Sequence, residues 1–197
     1  MNRNDKNPEF ADGPEMGPSI GLLELNSVAR GIEVADALLW ESNVTMLFSE
    51  PVQPGKYVML FTGSVDDLSS AVRHGADLAG ADLVDQLLIP QVHPQVELGL
   101  RRSGSINGTI DALGVIETTT VAAAVSAADV ALKTATVDML ELRIANGLGG
   151  KSYFTLTGEV SDVRSSVAAG ARLASERGLL SREVVIARPH PDLVRHL

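Results

Sequence analysis

The sequence predicts an α+β protein made of two tandem copies of one β-α-β-β-α-β unit. Three observations carry that prediction. The chain repeats itself at an offset of 93 residues that grows to 95 and then 97, so insertions fall between elements. Each copy opens on an apolar run without helical spacing and then alternates helix-periodic stretches with β-branched ones. The 197 residues are 45% hydrophobic and 21% charged, enough to bury real cores in one ordinary or two small domains.

The repeat is readable residue by residue. Gly21-Leu22-Leu23-Glu24 aligns with Gly114-Val115-Ile116-Glu117, and Val28, Ala35, Asp36 and Leu39 meet Val121, Ala128, Asp129 and Leu132. Lys56, Gly63, Asp67 and Gly75 then meet Lys151, Gly158, Asp162 and Gly170, and His93-Pro94 meets His190-Pro191.

The runs from Ile20 to Leu25 and from Leu113 to Thr118 are short and apolar, which suits buried strands. Ser27 or Thr120 caps the helix that follows, with Val28, Ile32, Ala35 and Leu39, or Val121, Val125, Ala128 and Leu132, on its apolar face. Two strands come next, Val44 to Phe48 with Lys56 to Thr62, and Val137 to Ile144 with Lys151 to Thr157, joined by Gly- and Pro-containing loops. Ser64 or Glu159 opens a second helix whose stripe is Leu68, Val72, Ala76 and Ala79, or Val163, Val167, Ala171 and Ala174. A last strand, Val84 to Pro90 or Val184 to Pro189, leads to a short helix with Pro at its first position, where a missing N–H has no partner to lose. This is the ferredoxin-like order, both helices on one face of an antiparallel sheet. The expected boundaries are a polar, disordered extension over 1–18, a first domain over 19–98, a linker over 99–109 and a second domain over 110–197.

Composition excludes several functions. Sixteen Lys and Arg against 25 Asp and Glu give a net charge of −9, without the basic excess a nucleic-acid binder needs. The absence of cysteine removes disulfides, thiolate metal sites and thiol nucleophiles. No apolar run approaches the roughly 20 residues of a bilayer-spanning helix, and the first 18 residues resemble no targeting segment, so no membrane partner is expected.

Candidate chemical motifs read as structure. Ala145-Asn146-Gly147-Leu148-Gly149-Gly150-Lys151-Ser152 ends like a phosphate-binding loop, but Ala145 replaces its first glycine and a strand, not a helix, follows. Glu24 and Glu117 are one repeated position, better explained by a structural hydrogen bond than by acid–base work. His93 and His190 read as helix starts, and no Ser-His-Asp arrangement is available, so neither catalytic residues, metal site nor cofactor is expected. Lys133 and Arg188-Pro189-His190 differ from Trp40 and Gln91-Val92 in the first copy, as two dissimilar contact edges would.

The ordered set in both copies resembles the bacterial microcompartment shell proteins, in their tandem-domain, trimer-forming and non-permuted class. The carriers are Gly21-Leu22-Leu23-Glu24, Pro54-Gly55-Lys56 and His93-Pro94, then Gly114-Val115-Ile116-Glu117, Lys133, Gly147 to Lys151 and Ile186-Ala187-Arg188-Pro189-His190. The resemblance implies a structural protein. Three chains would form a pseudo-hexagonal tile in a microcompartment shell in the cytoplasm, packing beside hexameric and pentameric shell proteins, with encapsulated enzymes as further partners. It implies a central pore for small polar metabolites or cofactors, lined by Val52, Gln53 and Pro54 and by Asn146, Gly147, Leu148 and Gly149. Lys133, Arg188 and His190 would lie at assembly edges. In propanediol-utilisation members of the class a cysteine before Pro-Gly-Lys helps hold an iron–sulfur cluster; here that residue is Gln53, which offers neutral donors and acceptors instead. The alternative is an oligomeric ferredoxin-like sensor that binds a small molecule at Gly147 to Gly150.

Overall fold

A computed structural model describes residues 14–101, 110–145 and 147–195. The first domain runs β1 (Ile20–Leu25), α1 (Val28–Glu41), β2 (Thr45–Val52), β3 (Lys56–Thr62), α2 (Val65–Ala79), β4 (Leu83–Ile89) and α3 (Pro94–Leu100). The second repeats it as β5 (Ala112–Thr118), α4 (Val121–Thr134), β6 (Val137–Ile144), β7 (Ser152–Gly158), α5 (Val160–Glu176), β8 (Leu180–Ala187) and α6 (Pro191–Val194). The strand orders are β2-β3-β1-β4 and β6-β7-β5-β8, antiparallel throughout. These are the expected elements in the expected order.

Local chemistry sets most boundaries. Ser27, Thr120 and Ser64 accept hydrogen bonds from the third residue on, as N-caps do, and the His93 and His190 rings cap their helices from Nδ1. Glu159 makes no such bond. β2 continues past the predicted Phe48 to Val52, through Pro51, because it is an edge strand and proline there forfeits no ladder bond on the open side. β8 likewise begins at Leu180, where Thr118 pairs with it, rather than at Val184.

Three expectations change. The expected face of α1 mixes two faces: Gly31, Val34, Ala35 and Leu38 are buried against the domain's own sheet, whereas Ile32 and Leu39 point outward. Residues 14–18 of the polar extension are anchored, with the Met16 N–H bonded to Glu97, the Pro14 carbonyl accepting from Arg101 and the Pro18 carbonyl from Val92. Residues 1–13 lie outside the described residues. α3 reaches Leu100, so residues 99 and 100 belong to a helix; 102–109 of the expected linker are outside the described residues.

Among the described residues three apolar clusters result, two large and a small one of Ile110, Leu113 and Leu140. Leu23, Leu25, Leu38, Met59, Phe61 and Leu68 pack between the first sheet and its own helices. A larger cluster continues from Leu22, Leu87 and Val96 of the first domain into Val121, Val125, Leu132 and Met139 of the second.

Candidate functional site

The domains meet where the open face of β1 and β4, with α3, receives α4 and β6. At its centre the Glu24 side chain is fully buried. One carboxylate oxygen takes the Lys56 ammonium at 2.8 Å, and the other accepts the Val121 N–H at 2.7 Å. Glu24 thus sits on the N-terminus of a helix from the other domain, where free N–H groups and the helix dipole favour an anion. Burial nonetheless pushes its carboxyl above the ordinary range, against the pull of Lys56 and the Val121 and Ala122 amides.

Around it lies a ring of polar contacts. Asp85 accepts the Thr120 hydroxyl at 2.6 Å and the Arg177 guanidinium. Asp129 accepts the His93 N–H at 2.8 Å, and Lys133 bridges Asp129 and the Gln91 carbonyl. Gln95 completes the open edge of β6, accepting from the Met139 N–H at 2.7 Å. The fit is close: a Cβ on Gly99 would lie 2.8 Å from Met139 Cγ.

The outer ends of the chain carry the same surfaces uncovered. Ile32, Leu39, Val184 and Leu193 are 56%, 55%, 43% and 41% exposed; their repeat equivalents at the junction, Val125, Leu132, Leu87 and Val96, are 0%, 5%, 7% and 0%. Glu117 repeats Glu24 and holds Lys151 at 2.9 Å, yet its side chain is 34% exposed. Trp40, the counterpart of Lys133, is 84% exposed.

The two strand-to-strand loops come together beside this junction. A Cβ on Gly150 would lie 2.8 Å from Pro54 Cδ, and Lys56 Nζ is 3.5 Å from the Gly150 carbonyl. Gln53, Pro54, Gly147 and Gly149 are exposed, and Leu148 is half-buried; Val52 is buried in the core and presents no side chain to an opening. Asn146 is outside the described residues. Gly147, Gly149 and Gly150 have φ of 74°, 60° and 87°, so this loop needs glycine for backbone shape. Lys151 leads into β7 and its ammonium bonds Glu117 and Ser181, which removes the phosphate-loop geometry.

Of the residues expected at edges, Arg188 and His190 are exposed at the free end of the second domain, while Lys133 spans the inner junction. Sequence reading missed Asp85, Arg177, Gln95 and Asp129 as contact residues. A signal existed in the repeat itself, since Arg182 stands opposite Glu117 as Asp85 stands opposite Glu24. Among the described residues no group of three metal-ligating side chains converges, and no helix is long and apolar enough to cross a membrane.

A contact surface used once within a chain and presented again at both of its ends is the arrangement of a modular structural protein. The chain belongs to the family of the BMC domain, matched at residues 19–92 and 112–189. It is 39% identical over 182 residues to the bacterial microcompartment shell protein PduT of Citrobacter freundii, covering 92% of this chain and 98% of that one. A microcompartment protein of known structure from Desulfitobacterium hafniense DCB is 50% identical with a TM-score of 0.78, over 90% of this chain and 98% of its own. The fused permuted hexameric shell protein MSM0275 of the RMM microcompartment shares the fold, with a TM-score of 0.61 at 20% identity over 87% and 92% of the two chains. The role is structural, in a microcompartment shell assembled with other shell proteins, and not that of an enzyme.

Proposed function

We propose that three copies of this chain close into a ring of six domains, a shell tile with a central opening. The carrying observation is the set of four apolar positions buried at the inner junction and bare at the outer ends. Covering them takes the β8 and α6 end of one chain and the α1 face of the next. Such a head-to-tail contact either closes into a ring or runs on as a filament. Ring closure is favoured by the two loops, which already lie side by side next to the junction. Repeated around an axis, Gln53, Pro54, Gly147 and Gly149 border the opening, with Asn146 and Leu148 in the same loop. Three Gln53 amides there present uncharged donors and acceptors, suited to small polar metabolites.

Arg188 and His190 belong to the outer junction or to the rim beside it, where neighbouring shell proteins and encapsulated enzymes would meet the tile. The domain limits follow the same reading, with 19–98 and 110–197 as the two units. Light scattering on the eluting protein, followed by electron microscopy, tests the ring. The expected result is the mass of three chains and three-fold discs that tile in layers. A monomer at every concentration, or an open filament, rejects it.

A further inference from the structure

We infer that Asp36 and Trp40 of one copy receive Arg188 of the next, a cation-on-aromatic contact in the place that Lys133 holds inside the chain. The contact presupposes the ring proposed above and supplies the side chains by which one copy grips another.

Inside the chain this spot is built from few groups. Asp129 on α4 accepts the His93 N–H with one oxygen at 2.8 Å and the Lys133 ammonium with the other at 2.6 Å. Lys133 then reaches across to the Gln91 carbonyl, so the helix side supplies both the acid and the base.

At the outer ends each position has a counterpart fixed by structure as well as by spacing. Ser27 and Thr120 cap α1 and α4 in the same way, which sets Asp36 at the place of Asp129 and Trp40 at that of Lys133. Ile89 pairs with Ile20 as Ile186 pairs with Leu113, and the His93 and His190 rings cap the helices that follow, so Gln91 and Arg188 stand midway between matching landmarks. Burial agrees. Gln91 and Arg188 are both exposed, and the residues after them, Val92 and Pro189, are both buried.

The outer groups are unsatisfied within their own chain. Asp36 and Arg188 are exposed and form no ion pair among the described residues, and Trp40 is 84% exposed. With an indole in the lysine's place, α1 sets no cation one turn beyond Asp36, and Arg188 brings the charge from the strand side instead. A guanidinium suits this exchange, because its planar face stacks on an indole while its N–H groups reach a carboxylate. Arg188 is also held at φ 53°, in the left-handed region that a bulky side chain rarely takes, with its N–H on the Asp111 carbonyl at 2.7 Å. That fixes the direction in which its side chain leaves the domain. The spot is continuous with the apolar face of Ile32 and Leu39, which the ring covers.

Trp40 is the single tryptophan of the chain, so intrinsic fluorescence of the full-length protein reads this contact without a label. In the trimer its emission should lie to the blue of that of the dilute monomer and should resist iodide quenching. Emission that stays that of a water-exposed indole, in protein that light scattering shows to be trimeric, overturns the contact and leaves the ring standing. Arg188→Gln removes the cation and Trp40→Lys sets an ammonium against the guanidinium; each should raise the concentration at which the trimer half-dissociates by about tenfold or more. The double variant rebuilds the inner set of Asp, Lys and Gln and should return to within about threefold of wild type. Circular dichroism melts of dilute protein report whether each variant folds. Silent single variants, or a double variant no better than the singles, overturn the contact while a wild-type trimer keeps the ring. A wild-type chain that never trimerises overturns the ring itself and the contact with it.

Discussion

Helices α1 and α4 are one element in two settings, and the contrast shows what each apolar face is for. In α4, Val121, Val125, Ala128 and Leu132 are all covered, because the first domain lies across one face and its own sheet across the other. In α1 only the face toward its own sheet is covered, and Ile32, Leu39 and Trp40 stand in solvent. A helix apolar on two faces has two neighbours. The exposed face of α1 is the one on which the proposed ring places the next chain.

The largest effect that sharpens this contrast comes from the paired glutamates. Glu24→Ala strands Lys56 and the Val121 N–H in a covered site and should lower the unfolding free energy by about 3 kcal/mol in urea titrations. Glu117→Ala removes an exposed pair, so unfolding of dilute monomer should move by no more than about 0.5 kcal/mol while the trimer weakens. Equal losses in both variants would break the distinction between inner and outer junction.

Trp40→Ala comes next. An exposed tryptophan that anchors an interface contributes about 2 kcal/mol, near thirtyfold in the dissociation concentration of the trimer, with no change in the monomer melt. A trimer indifferent to this substitution would return Trp40 to the bare surface.

The pH dependence of Glu24 is smaller. Its folded carboxyl titrates above the ordinary 4.5, so within that window the folded state keeps a proton that the unfolded chain has released. Its share of stability is greatest at low pH and falls as pH rises from 4.5 through the raised value. The stability of Glu24→Gln relative to wild type should therefore improve over that rise, measured by urea unfolding at each pH. A gap that stays flat, or moves the other way, contradicts the burial argument.

The smallest effect compares the second helices of the two domains. α2 is capped by Ser64, whereas Glu159 gives α5 no side-chain cap. Glu159→Ser should add about 0.5–1 kcal/mol to the second domain, read from thermal melts.

Much of this architecture was legible in the sequence because repetition is a local signal read twice. Caps, Pro94 and Pro191 at helix starts and the two-residue difference between the loops all follow from neighbours in the chain. The junction did not follow. Asp85 meets Arg177 across 92 residues, and nothing near either one marks the other as its partner. Ile32 and Leu39 looked like core because spacing reports that a face is apolar and says nothing of which body covers it. The glycines of the second loop were legible as a turn, but their closeness to Pro54 depends on how two domains dock.

The anchoring of residues 14–18 bears on how this domain can be rewired. Arg101 at the end of α3 hydrogen-bonds the Pro14 carbonyl at 3.0 Å, so the places where the chain enters and leaves the first domain are adjacent. A domain with neighbouring ends tolerates being joined there and cut elsewhere, since a short splice replaces a contact already made. Circular permutation of the first domain is thus expected to preserve the sheet, the packing and the junction while moving the termini to another loop.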